Sequence, residues 1–229
     1  MALKLYFHPL ASFCHKVLIS LYEKNVAFEP IVVDLGDPES AAAFRKVWPM
    51  AKMPALVDGE TGRTVAETTI VLEYLEQHFP QKPLLLPADP DQALQVRFWD
   101  RFYDFYVELP MQKIVTDRLR PEGANDTFGV EQAYGQLREA YGVIDGEMAS
   151  KKWAAGAAFS IADCAAAPAL FYANTVEPIG DGHGHAKAYL KRLMQRPSFS
   201  RVLVEAEPYF KFFPMPQRPD ISLARGTGR

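Results

Sequence analysis

The run Lys52-Met53-Pro54-Ala55-Leu56-Val57-Asp58-Gly59-Glu60-Thr61-Gly62-Arg63-Thr64-Val65-Ala66-Glu67-Thr68 decides the fold of this 229-residue chain. Two short apolar stretches, Ala55–Asp58 and Thr64–Ala66, flank Gly59-Glu60-Thr61-Gly62, which is a hairpin signal. A proline enters the first stretch after a polar loop, a setting where an X–Pro bond can be cis. A cis bond there would leave the Met53 N–H and C=O free to pair with an extended peptide ligand; an ordinary loop-to-strand proline is the plainer reading. Glu67-Thr68 then opens a helix running to Phe79, with Ile70, Val71, Tyr74, Leu75 and His78 along one side. The Thr68 hydroxyl and the first N–H groups of that helix make an anion site. Glu67 beside them suits an ammonium group, so the pair fits an amino-acid terminus. Taken alone, a helix cap with a favourable dipole charge explains the same residues.

Outward from this core the first half alternates strands and helices. Leu3–Phe7 reads as a strand, and Ser12 opens a helix with Phe13, Val17, Leu18 and Leu21 at helical spacing. Phe28–Val33 is β-rich but holds Pro30, which lacks the N–H of a central strand, so an edge strand is expected. Asp37–Val47 is an alanine-rich amphipathic helix. The order βαβ-α-ββα is the plan of an α/β thioredoxin-like domain, over residues 1–79, with a mixed sheet.

Prolines 80, 83, 87 and 90 crowd residues 80–90, which read as a linker. Residues 91–213 read as an all-α helical bundle. Its first part, Asp91 to about Arg120, carries Phe98, Trp99, Phe102, Tyr103, Phe105 and Tyr106, with a kink or a turn's end expected at Pro110. Val130, Tyr134, Leu137, Tyr141, Ile144 and Met148 step by three and four as a core stripe. Ser160 and Asp163 form a capping box ahead of a buried helix that contains Pro168. Shorter helices are expected near His185–Gln195 and Pro197–Glu207, and residues 214–229 as a surface tail.

Composition narrows the function. Hydrophobic residues make 48%, charged residues 23%, and the formal net charge is -3, with no concentrated basic face for a nucleic-acid backbone. No run approaches the roughly 20 apolar residues of a membrane span, and Met1-Ala2-Leu3-Lys4 does not begin a secretory signal. Two distant cysteines, Cys14 and Cys164, fit a reducing compartment, so the cytoplasm is expected. His183 and His185 lack companion ligands, and no metal is expected.

The turn after the first strand, His8-Pro9-Leu10-Ala11-Ser12-Phe13-Cys14-His15-Lys16-Val17, sets a hydroxyl and a thiol at a helix start. Such a terminus presents unpaired N–H groups and partial positive charge, which favour a thiolate. A Ser12 hydroxyl there can donate to a bound thiolate and lower its pKa. The plainer reading makes Ser12 an N-cap and Cys14 a small buried hydrophobe.

Pro54-Ala55-Leu56, Glu67-Thr68-Thr69-Ile70, Phe159-Ser160-Ile161-Ala162-Asp163 and Arg196-Pro197-Ser198-Phe199, in this order and spacing, resemble the soluble glutathione transferases over residues 2–212. The likeness is to the bacterial-like type with a serine or cysteine active-site turn. The resemblance implies that glutathione is the co-substrate and that the chain forms a homodimer. It also implies that Met53, before the cis Pro54, pairs with the cysteinyl part, that Glu67 and Thr68 hold the γ-glutamyl end, and that Lys52 helps with the glycyl carboxylate. A conjugating transferase for electrophilic, largely apolar small molecules follows. The alternatives are a glutathione-dependent thiol reductase or peroxidase working through Cys14, or a non-catalytic binding protein of the same fold. Leu10, Phe13, Phe102 and Tyr106 are the expected walls of the second-substrate pocket.

The chain departs from the family pattern at the activating position. Counting back from Lys16-Val17, the usual serine falls on Ala11, and Tyr6 is too early for a tyrosine role. Ser12, Cys14 or the backbone N–H groups of the turn remain as thiol activators, with Ser12 favoured. Ala51 stands for a common glycine and Trp48 for a common asparagine, and Asp37–Ala43 lacks a histidine some classes place there.

Overall fold

A computed structural model of the chain describes residues 3–80 and 83–226. Residues 81 and 82 of the expected linker, and the ends of the expected first domain (1–2) and tail (227–229), lie outside the described residues. The first part runs β1 (Leu3–Phe7), α1 (Ser12–Glu23), β2 (Phe28–Val32), α2 (Pro38–Val47), β3 (Ala55–Asp58), β4 (Arg63–Ala66) and α3 (Thr68–His78). The sheet order is β2-β1-β3-β4, with β1 parallel to β2 and antiparallel to β3, and β3 antiparallel to β4. β2 is the edge strand that Pro30 requires. The Val33 N–H donates to the Phe7 carbonyl at 2.8 Å. By strand alternation Ile31 and Glu29 face β1, so Pro30 faces the free edge and costs the ladder no bond.

Both sheet faces are covered. α1 and α3 cover one face, burying Leu5, Val17, Leu21, Leu56, Val71 and Leu75. α2 covers the other with one anchor, Phe44, against Val33, Ala51 and Ala55. Asp37 caps α2 by accepting from the Glu39 and Ser40 N–H groups, and Pro38 supplies a preset first φ.

The helical part holds α4 (Pro90–Phe102), a π-helical segment (Tyr103–Glu108), α5 (Leu109–Asp117), α6 (Thr127–Met148), α7 (Ile161–Val176), α8 (Gly184–Met194), α9 (Pro197–Ala206) and a 3-10 turn (Glu207–Phe212). The stretch read as one kinked aromatic helix is thus two α-helices joined by a π segment. The wide winding stands just ahead of Pro110, whose ring crowds the carbonyl four residues back and whose N–H is missing. α7 is buried on almost every side and packs against α1 and α4. Asp163 secures its start: the Ser160 N–H donates to it at 2.9 Å, the Ala154 N–H at 2.8 Å and the Tyr189 hydroxyl at 2.6 Å. The linker is held too, for the Ile161 N–H donates to the Leu85 carbonyl at 2.9 Å and Leu85 is buried.

The segment read as a surface tail corrects that expectation in part. Ile221 and Ala224 are buried against the helical core, and the Ser200 hydroxyl donates to the Ala224 carbonyl at 2.6 Å. Two small apolar groups in a polar stretch suffice to dock it.

Candidate active site

One cleft of about 570 Å³ lies where β3, the α3 start and the α4–α5 region meet. Its lining includes Phe13, Lys52, Met53, Pro54, Glu67 and Thr68, brought together from three separate stretches of sequence. The Met53–Pro54 bond is cis. Ala51 adopts φ 51° and Glu67 φ 66°, both left-handed, a region costly for residues with a Cβ. At position 51 that conformation is the reason a glycine would suit. At position 67 it sits between the end of β4 and the first residue of α3, and strain of this kind gathers at binding sites. The Glu67 side chain caps nothing and stays exposed, while Thr68 is buried at the helix start.

The far wall differs from the expected one. Arg101, Asp104, Phe105 and Leu109 face the cleft, with Thr69 and Ile70 from α3. Phe102 instead turns into the core, its ring 5.0 Å from Trp99 and 5.6 Å from Tyr103. Tyr106 is exposed beside Phe102 at 5.2 Å, Leu10 packs on the core, and neither lines the cleft. Each residue turns a helix by about 100°, so a one-residue error in facing exchanges the cleft wall for the core. Of the four expected walls, only Phe13 lines it.

Beneath this wall lies a buried charge network that the sequence reading missed. Lys16 is 1% exposed, and its Nζ lies 2.7 Å from Asp100 and 2.8 Å from Asp104 and donates to the Thr69 hydroxyl at 3.1 Å. Three N–H groups meet three acceptors, which is what a buried ammonium needs. Thr69 donates onward to Asp100 at 2.7 Å, and Arg101 bonds Asp104 from the cleft side. Burial raises the Asp104 pKa and the Lys16 charge opposes that rise. The signal was present: Asp100, Asp104 and Glu108 step by four, an acidic line on one helical face, opposite a lysine inside an apolar helix.

The third acid of that line corrects the reading of the active-site turn. Ser12 is buried and its hydroxyl donates to Glu108, also buried. In this arrangement the hydroxyl proton goes to Glu108 rather than to a thiolate, and Ser12 does not line the cleft. Burial pushes the Glu108 carboxyl up to about 7, with the Ser12 bond opposing. Cys14 is fully buried and burial pushes its thiol up to about 12, which disfavours the thiolate. What the turn does present is backbone. The Cys14 and His15 N–H groups bond back to the Ala11 carbonyl at 2.8 and 3.1 Å, and those of Ser12 and Phe13 stand at the open end of α1. The two histidines set aside as ligands lie by the start of α8, where Asp145 accepts from the His185 and Ala186 N–H groups at 2.8 and 3.0 Å.

Known proteins resemble this chain in sequence and in fold. Residues 5–83 match the family model for the glutathione S-transferase N-terminal domain, and residues 102–197 that for its C-terminal domain. A probable glutathione S-transferase of Nicotiana tabacum is 31% identical over 189 residues, 82% of this chain and 76% of that protein. FtsZ-localized protein A of Caulobacter vibrioides is 29% identical over 218 residues, 89% of this chain and 92% of that protein. A glutathione S-transferase from Methylobacillus flagellatus KT with GSH bound superposes with a TM-score of 0.79 at 25% identity, covering 88% of this chain and 98% of that one. Among the described residues no helix is long and apolar enough to cross a membrane. A four-stranded mixed sheet of this order, carried into a helical bundle and matched by both models, makes the chain a member of the glutathione S-transferase family.

Proposed function

We propose that this protein conjugates the glutathione thiolate to electrophilic, largely apolar small molecules. The observation carrying the reading is the single cleft that gathers Lys52, Met53, Glu67 and Thr68 beside Phe13 at the open end of α1. In this reading Glu67 and Thr68 take the γ-glutamyl amino acid, the Met53 backbone pairs with the cysteinyl part, and Lys52 meets the glycyl carboxylate. The thiolate rests at the N–H groups of Ser12 and Phe13, where the partial positive charge of the helix end favours the anion. Its lone pair attacks the electrophilic carbon, forming a C–S bond as the leaving group departs or the double bond accepts the electrons. Phe13, Ile70, Phe105 and Leu109 supply the apolar wall. The exposed apolar groups Leu94 and Phe98 on α4 and Tyr106 on the π segment fit a homodimer face. Two buried free thiols suit the reducing cytoplasm, where such conjugation would serve detoxification.

The test is turnover of a generic aromatic electrophile with glutathione, followed by Glu67→Gln and Thr68→Val. Each variant is expected to raise KM for glutathione about tenfold, the worth of one charged hydrogen bond, with kcat nearly unchanged. Retained KM in both variants overturns the assignment of the γ-glutamyl pocket. A second reading rests on the absence of a free side-chain hydroxyl at the α1 start and on the likeness to FtsZ-localized protein A. It makes the chain a non-catalytic glutathione-binding protein, and glutathione binding without turnover selects it.

A further inference from the structure

A second, larger cavity of about 680 Å³ lies on the opposite side of α1 and shares no residue with the cleft. Its floor is His15, Leu18, Leu21 and Tyr22 of α1, one wall is the Phe28, Pro30 and Val32 face of β2, and the other is Val202 and Ala206 of α9 with Tyr209. Arg201 and Glu205 are the ionised side chains in the lining. They neutralise each other at 2.8 Å, and Glu205 also accepts the Tyr22 hydroxyl at 2.6 Å. The Arg201 guanidinium lies 3.9 Å over the Tyr22 ring. The buried His15 donates Nε2–H to the Pro9 carbonyl at 2.6 Å, and its Nδ1, the acceptor nitrogen, has no partner among the described residues. Burial holds that ring neutral, its pKa pushed down to about 4. The lining is therefore aromatic and aliphatic, without net charge, and within the size range of small-molecule sites.

We propose that this cavity is a second ligand site, separate from the glutathione cleft, for an uncharged, mostly apolar ring molecule of drug-like size. Net charge decides the class: Arg201 and Glu205 already satisfy each other, so a charged ligand would give up its hydration without an unpaired counter-charge in the lining, whereas a neutral body has no charge to desolvate. A strand from another protein is a poorer occupant. It would pair with the free edge of β2, and there Pro30 interrupts the row of donors. The aromatic groups Phe28, Tyr22 and Tyr209 offer ring faces and edges to a planar ligand.

Nile red, a neutral planar dye, tests the site by fluorescence titration of the full chain with saturating S-hexylglutathione filling the cleft. One dye per chain is expected, bound equally with and without S-hexylglutathione. Val32→Lys and Ala27→Glu place unpaired charges on exposed lining positions, where folding tolerates them, and each is expected to weaken the dye about tenfold. The same variants leave glutathione binding unchanged, so failure here is separable from failure of the conjugation reading. Absence of dye binding, displacement by S-hexylglutathione, or affinity unmoved in both variants overturns the proposal.

Discussion

The Lys52–Thr68 side of the cleft and the Leu10–Lys16 turn, which reaches the cleft through Phe13, are built in opposite ways. The first is local. A proline after a polar loop, a hairpin and a helix start follow one another within 17 residues, and the fold closes them into one wall of the cleft. The second is non-local: Glu108, the partner of Ser12, stands 96 residues away and Asp104, a partner of Lys16, 88 residues away, both on the π segment. The difference teaches where side-chain identity is informative. In the local half the residues singled out from the amino-acid order meet in one cleft. In the turn the side chains of Ser12 and Lys16 are turned inward, onto acids of the helical part.

The sharpest way to break this comparison is Lys16→Met. It removes the buried cation and leaves Asp100 and Asp104 with only the half-exposed Arg101, and losing one partner of a buried pair costs about 3–5 kcal/mol. Thermal unfolding followed by circular dichroism should show a fall of about 10 °C, and an unchanged midpoint would remove the network from the stability of the fold. Glu108→Gln probes the same seam through pH. The folded carboxyl sits near 7 against an ordinary 4.5, so the folded state holds its proton more tightly. The stability this gives is complete below pH 4.5 and disappears as pH rises through 7, up to about 3 kcal/mol. The glutamine variant lacks that loss. Denaturant midpoints of the two proteins should therefore diverge from pH 5 to pH 8, with the variant gaining; parallel curves would sink the argument.

Ser12→Ala sharpens the contrast between side chain and backbone. It removes the donor to Glu108 and is expected to cost about 1–2 kcal/mol of stability. Conjugation per folded molecule should stay within about threefold, and a hundredfold loss of kcat would restore the hydroxyl to the thiol. Ala51→Gly has the smallest effect. Relief of the left-handed φ is offset by the flexibility of glycine and a lost buried methyl, so stability should move by less than about 1 kcal/mol.

Much of the fold was legible because it rests on short-range chemistry. Leu3, Leu5 and Phe7 alternate into the core, Pro30 marks the edge, Asp163 reciprocates with Ser160, and Leu137, Tyr141, Ile144 and Met148 form the buried stripe of α6. The candidate site was legible only along its Lys52–Thr68 wall. Phe102 and Tyr106 stood next to the residues that line the cleft, Arg101 and Phe105, because an aromatic-rich helix carries apolar groups on several faces and its pattern leaves the rotation open. The docking of Ile221 and Ala224 was hidden for a related reason: two buried groups in a polar stretch give no period to read.

By itself, then, the amino-acid order determined the family, the sheet with its edge, the helical bundle and the residues Met53, Pro54, Glu67 and Thr68 that meet in one cleft. Those features follow from turn chemistry, capping and periodicity, which act over a few residues. Only the tertiary structure decided that Ser12 serves Glu108, that Lys16 is buried between two aspartates, that Cys14 is sealed, and that Arg101 and Phe105 line the cleft. Each of these depends on which groups the packing of α1 against the helical bundle brings within hydrogen-bonding distance, and which way it turns a helix about its axis.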